Sequence, residues 1–535
     1  MNASLAENEK GEKVIKIVFP YDVELLYKIK ALPGRKYYTE PSPCWAVPIS
    51  TESIEQLQKW NFEISEPLLS FMQKAQEKKD AITISQIQGL KGTPRQFQNA
   101  GVAFVEDKNG RALIGDEQGL GKTIEALSFI QLHRDRIPIV IVVPASLKLN
   151  WEREANKWLE DPNTEILSGT KVWKTTGDIL IINYDILYAW VDELKKRKPK
   201  LLITDESQKY KSDGAKRTKA VKKLAKGIPY FIALSGTPIE NRPDEVFNAV
   251  HIANPDIFIN RWQFRQRYCN PKHNGFGWDF TGHSNIEELH NKLKRVMIRR
   301  LKKDVLKELP DKIYSFIPIE LDNEKEYQDA ENDFISYVRN EKGQDAAKKI
   351  ENVEALARIE GLKQLAVKGK MKQVIEWIRD FLESEQKLVV FCTHKFVINE
   401  LMEMFGSHIA VKLDGSTSLS DRQRSVDIFQ LNPAVKLFIG NIQAAGVGIT
   451  LTAASNVVFI ELGWNPAIHD QASDRVHRIG QKDSVNIYYL LARNTIEEKI
   501  AKLLDTKRKI TTAVLDGVET EQSSLLFELM KSYKY

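Results

Sequence analysis

The run Asp116-Glu-Gln-Gly-Leu-Gly-Lys-Thr123 follows a short apolar stretch and leads into an amphipathic one. Glycines at 119 and 121 let backbone N–H groups turn toward an anion, and a helix starting there points its positive end at the same place. Asp116, Gly119, Leu120, Gly121, Lys122 and Thr123 are therefore the residues expected around a nucleotide. Lys122 is placed to reach the β- and γ-phosphates and Thr123 to ligate Mg²⁺. The strict phosphate-loop pattern has Gly where this chain has Asp116.

Leu201-Leu-Ile-Thr-Asp-Glu206 is an apolar run that ends in two carboxylates. Asp205 suits a direct or water-mediated Mg²⁺ contact, and Glu206 suits orienting and deprotonating an attacking water. Near the other end of the chain lies Gln471-Ala-Ser-Asp-Arg-Val-His-Arg478. If this stretch is helical, Arg475 and Arg478 stand three apart and share a face. They are then either arginine fingers reaching a γ-phosphate held elsewhere or a solvated basic face.

Groups so far apart in sequence need a scaffold that gathers them. From about residue 85, short β-branched runs alternate with amphipathic stretches. The first set comprises Ala112–Gly115, Ile139–Val143, Ile179–Ile182, Leu201–Thr204 and Phe231–Leu234. The second comprises Leu388–Phe391, Ile409–Leu413, Lys436–Ile439, Val457–Ile460 and Val485–Leu491. Continuous apolar runs of strand length separated by helical patterns read as parallel strands covered on both faces. The fold class is α/β, with two lobes in series. Between the sets, residues 241–370 turn helical and charged, as in Glu324–Arg339 and Asp345–Leu365. Residues 13–75 form a separate α+β unit: a strand Val14–Phe19, a helix Val23–Lys30, two short strands flanking Thr39–Pro43, and a helix from near Thr51.

The chain's 535 residues allow about three or four domain-sized units. With 42% hydrophobic and 28% charged residues it has a globular composition, which excludes wholesale disorder. Three scattered cysteines make neither a disulfide framework nor a zinc site, so no zinc is expected and a reducing compartment fits. No apolar run has the length of a membrane span, and the first residues lack the apolar core of a secretory signal. The expected protein is soluble and intracellular, without a membrane partner.

Taken in order, these residues resemble a Swi/Snf-type ATPase of helicase superfamily 2, with matching motifs from Leu90 to about Ile500. Arg95-Gln-Phe-Gln-Asn-Ala-Gly-Val102 resembles the adenine-reading Q motif, Gln98 standing in the reading position. Asp116–Thr123 resembles motif I, Val143-Pro-Ala-Ser-Leu147 with Trp151 motif Ia, Asp205-Glu-Ser-Gln208 motif II, and Leu234-Ser-Gly-Thr-Pro238 motif III. Phe391-Cys-Thr-His394, Gln443–Leu451 and Gln471–Gln481 are similar to motifs IV, V and VI. The chain departs from the family at Gln118, where Met is usual and tolerance is expected. It departs again at Gln208, where His is usual and inter-lobe hydrogen bonding must differ. Within the family the look is closest to the annealing-helicase (HARP-like) subgroup, through Arg267-Tyr-Cys-Asn270, Gly277-Trp-Asp-Phe280, Ser284-Asn285 and Ile298–Leu306. More weakly, Gly34–Tyr38 and Cys44–Val47 resemble that subgroup's small N-terminal module.

The resemblance implies two RecA-like lobes in tandem with helical insertions between them, plus a small N-terminal α+β module. The expected limits are 1–84 for the module, 85–315 for lobe 1 with an insertion after motif III, and 316–535 for an insertion and lobe 2. It implies ATP and Mg²⁺ as cofactors. Lys122, Asp205, Glu206, Gln471, Arg475 and Arg478 would do the chemistry. It further implies translocation on double-stranded or branched DNA, with Ser235, Thr237 and Thr450 near the DNA. Localisation would be nuclear in a eukaryote, or cytoplasmic and nucleoid-associated in a prokaryote or virus.

The net charge of +6 identifies no partner, but its distribution is uneven. Lys209, Lys211, Lys216, Arg217, Lys219, Lys222, Lys223 and Lys226 share a segment with one acid, Asp213. A second block, Lys292–Lys312, is also rich in cations. Beside such motifs these blocks read as phosphate-backbone contacts, against a solvated face as the alternative. Phe276, Trp278 and Phe280 suit base stacking or packing equally, as do Tyr37 and Trp45 beside Arg35 and Lys36. Rivals to a duplex translocase are a nucleosome or protein–DNA remodeller, a strand-separating or RNA helicase, and a catalytically inactive DNA-binding scaffold.

Overall fold

The computed structural model describes residues 1–7, 13–32, 34–39, 43–72, 87–239, 242–273, 277–280, 282–340, 353–446, 448–502 and 504. Five strands make the N-terminal sheet: β1 (Asn2–Glu7), β2 (Lys13–Val18), β3 (Lys36–Tyr38), β4 (Cys44–Pro48) and β5 (Glu63–Ile64), in the order β3-β4-β2-β1-β5. Helices Val23–Ala31 and Thr51–Lys59 are capped by Asp22 and Ser50 and close over Ile15, Ile17 and Val47. The first strand was not expected. Its weak apolar content is offset by full antiparallel pairing with β2, from Asn2 opposite Val18 to Glu7 opposite Lys13. Trp45 packs partly into this small core, and Tyr37 lies on it with ring centroids 5.0 Å apart.

Lobe 1 is built on β6 (Arg111–Ile114), β7 (Ile139–Val143), β8 (Thr164–Ile166), β9 (Ile179–Asn183), β10 (Leu201–Asp205) and β11 (Tyr230–Leu234). After a two-stranded hairpin, β12 (Lys272–His273) and β13 (Trp278–Asp279), the short β14 (Met297–Ile298) joins the same sheet. The order is β14-β6-β11-β10-β7-β9-β8, and every pairing is parallel. The apolar runs are continuous because alternate side chains enter two cores. Val140, Val142, Leu180 and Ile182 point into one, and Ile139, Ile141, Ile179 and Ile203 into the other. Parallel strands also bring the phosphate loop, Asp205 and Ser235 to one edge, where ligands of such sheets bind.

Lobe 2 repeats the plan with β15 (Lys312–Ile319), β16 (Leu388–Cys392), β17 (Ala410–Leu413), β18 (Leu437–Asn441), β19 (Asn456–Phe459) and β20 (Val485–Ala492). They are ordered β15-β20-β19-β16-β18-β17, again all parallel. Here Val389, Phe391 and Val457 face one core while Leu388, Val390 and Val458 face the other. The expected division after residue 315 cuts β15 in two and is corrected: the whole strand belongs to the second sheet. Its alternation was easy to miss because it lies at the sheet edge, carries Pro318, and leaves Ile313, Tyr314 and Phe316 exposed.

The helix expected over Glu324–Arg339 is present as Glu324–Asn340. The next runs Val353–Leu382, well beyond Leu365, while Asp345 lies outside the described residues. Phe276 also lies outside them. Trp278 and Phe280 pack around Trp262, with centroids 6.1 Å and 5.5 Å away, and Trp262 and Trp278 remain about half exposed. Among the described residues no helix is long and apolar enough to cross a membrane.

Candidate nucleotide site between the lobes

The turn after β6 needs left-handed backbone at Gly119 (φ 85°) and Gly121 (φ 88°), and the helix Lys122–Leu132 starts directly behind it. The Lys122 ammonium donates to the Asp116 carbonyl at 2.8 Å and the Glu117 carbonyl at 3.3 Å, so it lies across its own loop. Burial pulls its pKa down, and the nearby Glu206, Asp116 and Asp205 oppose that pull. Gln98 Nε2 donates to the Leu120 carbonyl at 2.8 Å while its Oε1 accepts from the Arg95 N–H at 2.8 Å. Gln98 thus braces the phosphate loop. Asp116 is fully buried, and its carboxylate faces Arg300 at 2.9 Å. Arg300 also holds Glu125 at 2.8 Å. The Asp116 side chain, expected near the nucleotide, is engaged by Arg300 through both the backbone N–H and the guanidinium.

Asp205 and Glu206 leave the end of β10 in different directions. Asp205 Oδ2 accepts from the Trp151 indole at 2.9 Å and its Oδ1 from the Glu206 N–H at 2.9 Å. Burial, then the neighbouring Glu206 charge, pushes Asp205 up to about 6. Glu206 adopts left-handed backbone (φ 53°), unusual for a residue with a side chain and frequent at functional sites. Its Oε2 accepts from Gln208 Nε2 at 2.7 Å. The Gln208 Oε1 accepts from the Ser235 hydroxyl at 2.7 Å, and Ser235 Oγ accepts from the Thr237 N–H at 3.1 Å. Thr237 Oγ1 then accepts from Gln471 of lobe 2 at 3.3 Å. The Gln at 208 therefore supports an unbroken relay from Glu206 to the other lobe.

The helix carrying Gln471 spans Pro466–Ser473 and ends there, with Asp474 as its C-cap. Arg475 and Arg478 lie in the turns beyond, so the shared helical face expected for them is absent. They converge by another route. Arg475 Nη2 donates to Gln118 Oε1 at 2.6 Å. Arg478 donates to Thr450 Oγ1 at 2.8 Å, and its Cβ stands 3.1 Å from where a Cβ on Gly119 would lie. Burial, then the adjacent Arg475 charge, brings Arg478 down to about 10. A buried ammonium, two carboxylates and two guanidinium groups thus meet at one phosphate-loop edge. This donor set fits a nucleoside triphosphate with its divalent cation.

The expected DNA contacts divide. Ser235 is fully buried in the relay, Thr237 is half-buried and bonded to Gln471, and Thr450 accepts from Arg478. The helix Lys216–Ala225 buries Thr218, Val221 and Leu224 and turns its cations outward. Lys211 pairs with Glu245 at 2.9 Å, Lys222 with Asp213 at 2.6 Å, and Lys223 with Asp192 at 2.6 Å. Lys209, Lys216, Arg217, Lys219 and Lys226 are exposed. In the second block four cations are turned inward, while Lys294, Lys303 and Lys307 are exposed. Arg299 donates to the Gly115 carbonyl at 2.8 Å, Arg300 holds Asp116, and Lys302 and Lys312 both bond Asp474. The sequence pattern alone did not assign Trp151, Arg300 or Lys302 to the site. A usable signal was Arg299-Arg300 directly after the apolar pair Met297-Ile298, since cations at a strand's carboxyl end point toward the site edge.

Tandem RecA-like lobes, the first bearing a phosphate loop and the second closing on it, define the helicase-like class of nucleotide-handling proteins. The chain belongs to the SNF2-related family: residues 66–376 match its SNF2-related domain and residues 347–480 the helicase conserved C-terminal domain. Among its relatives is the human DNA annealing helicase and endonuclease ZRANB3. That protein is 36% identical over 445 residues, which cover 79% of this chain and 40% of the relative. The Xenopus laevis SWI/SNF-related matrix-associated actin-dependent regulator of chromatin subfamily A-like protein 1 is 32% identical over 92% of this chain and 52% of its own length. This chain therefore spans about half the length of these relatives or less. A solved Sulfolobus solfataricus SWI2/SNF2 ATPase core in complex with dsDNA is 28% identical, covering 81% of this chain and 95% of that one, with a TM-score of 0.40.

Proposed function

We propose that the chain is a DNA-dependent ATPase that translocates on double-stranded DNA and acts on branched or forked substrates. The observation that carries this reading is the meeting of Lys122 and Glu206 of lobe 1 with Arg475 and Arg478 of lobe 2 at one phosphate loop. In this reading Lys122 and the loop amides bind the β- and γ-phosphates, and Gln98 keeps the loop open for them. Glu206 orients and deprotonates the attacking water, while Arg475 and Arg478 stabilise charge growing on the transferred phosphoryl group. Mg²⁺, held by Thr123 and Asp205, would neutralise phosphate charge. The Gln208–Ser235–Thr237–Gln471 relay links Glu206 to lobe 2, so the hydrolysis state and the lobe position are read by the same hydrogen bonds.

DNA would run along the exposed cations of the helix Lys216–Ala225. Preference for branched DNA is supported by the relatives, one of which is named an annealing helicase. The module limits proposed here are 1–84, then lobe 1 to about residue 311, then lobe 2 from Lys312. Exposed Arg35, Lys36 and Tyr37 suit the small module to contacting a DNA junction. ATP turnover measured without DNA and with single-stranded, duplex and forked DNA tests the reading. Stimulation by duplex, greatest with a fork, is expected. DNA-independent turnover or none would contradict it.

A further inference from the structure

Lys302 leaves the first lobe and ends inside the second. Its backbone N–H donates to Glu117 Oε2 at 2.7 Å, so its main chain is tied to the phosphate loop. Its side chain is buried, and Nζ donates to Asp474 Oδ1 at 2.7 Å and to the His477 carbonyl at 2.6 Å. The same Nζ lies 3.4 Å from where a Cβ on Gly119 would stand. Lys302 therefore runs between the phosphate loop and the turn Asp474–Arg478, on which both arginines sit.

The other contacts of that turn fix its chemistry. His477 Nε2 stands 2.6 Å from the Pro310 carbonyl, so Nε2 carries the proton and Nδ1, 3.5 Å from Lys302 Nζ, presents a lone pair. Burial, then the nearby Lys302 and Lys312 charges, brings His477 down to about 4, which keeps the ring neutral. Asp474 Oδ1 also accepts from Lys312 Nζ at 2.6 Å. Lys312 starts β15 and belongs to the same lobe as Asp474, whereas Lys302 reaches it from across the interface.

We propose that Lys302 is a positioning residue, an ammonium supplied by lobe 1 that sets the turn carrying Arg475 and Arg478 against the phosphate loop. This rests on the ATPase reading above and adds to it a group that neither binds phosphate nor acts on the water. Lys302 contacts no catalytic side chain directly. It holds Asp474 and the His477 backbone, each directly preceding one of the two arginines.

The test uses the full chain with Lys302→Met and Lys302→Arg, assayed for duplex-stimulated turnover, ATP KM, duplex affinity and thermal midpoint. Lys302→Met is expected to lose about 10–100-fold in kcat, the size of a lost charge-assisted hydrogen bond, with KM for ATP and duplex affinity within about 2-fold. A pH series separates positioning from bulk structure. The groups facing Lys302 Nζ are Asp474, His477, Lys312 and Glu117; burial, with the Lys312 charge and against the pull of Asp474, brings Lys302 down to about 8. Wild-type kcat should therefore fall above about pH 8. Lys302→Arg, which stays charged, should lack that fall. A folded Lys302→Met chain with wild-type kcat overturns the proposal. If Lys302→Met fails to fold, an identical alkaline fall in wild type and Lys302→Arg overturns it instead. No turnover by the wild-type chain would overturn the underlying ATPase reading as well, which distinguishes the two failures.

Discussion

Arg475 of the second lobe donates from Nη2 to Gln118 Oε1 in the phosphate loop at 2.6 Å. The other end of the same amide, Gln118 Nε2, stands 3.4 Å from Glu206 Oε1. One neutral side chain therefore joins the arginine proposed to complete the site to the carboxylate proposed to work on water. Position 118, where the family usually has Met, was expected to be tolerant. In this chain it is a polar bridge that a thioether cannot reproduce.

Glu206→Gln should bind ATP normally and lose at least about 100-fold in turnover, since general-base assistance is worth about 10²–10⁴-fold. Steady-state ATPase alongside a fluorescent-nucleotide binding assay checks this. A mutant with near-normal turnover would remove Glu206 from its role.

The cations of the helix Lys216–Ala225 should not contribute equally. Lys222 and Lys223 already hold Asp213 and Asp192, so neutralising them changes binding less than their charge implies. Replacing Lys216, Arg217, Lys219 and Lys226 together should flatten the salt dependence of duplex binding by up to about 0.9 for each phosphate no longer neutralised. Binding isotherms across a salt series read the slope directly, and an unchanged slope would make this a solvated face.

Arg300→Met leaves Asp116 and Glu125 buried without their cation. Burial, then the neighbouring Asp116, pushes Glu125 well above the usual carboxylate range, and Arg300 opposes that push. The expected loss is about 3 kcal/mol, at the low end for breaking a buried ion pair. Thermal unfolding checks it, and an unchanged midpoint would contradict it.

Much of this arrangement is legible in the sequence. The ten apolar runs expected as strands all appear, because burial on both sheet faces leaves no polar residue to interrupt Ile139–Val143 or Leu388–Cys392. The phosphate loop is equally legible, since its glycines are demanded by backbone geometry. Short strands such as Met297–Ile298 are not, because two residues carry no period. The inward-turned cations of the second block were not legible for a physical reason. Charge counts do not distinguish an exposed lysine from Lys302, whose ammonium is satisfied by a carboxylate more than a hundred residues away in sequence. Arg475 and Arg478 were found by residue type, but the helix expected to present them stops at Ser473.

The second lobe carries its own pH-sensitive contact. His394 bonds Glu360 at 2.9 Å through Nε2 and Glu461 through Nδ1, and these two carboxylates raise it to about 9. A histidine raised above its unfolded value of about 6.5 stabilises the fold fully below that pH and loses the contribution as pH rises through 9. The thermal midpoint should therefore decline between roughly pH 6.5 and 9.5, and His394→Gln should flatten that decline. Parallel profiles for the two chains would contradict it.

The central claim is that lobe 2 completes a nucleotide site built by lobe 1, and Arg475→Ala tests it most directly. ATP affinity, duplex affinity and duplex-stimulated turnover should be measured on the same preparation. Both affinities are expected to stay near wild type while turnover falls by about 10³-fold or more, the range of arginine fingers in phosphoryl transfer. Wild-type turnover in Arg475→Ala would show that the contact with Gln118 is only structural and that the site does not need the second lobe in this way.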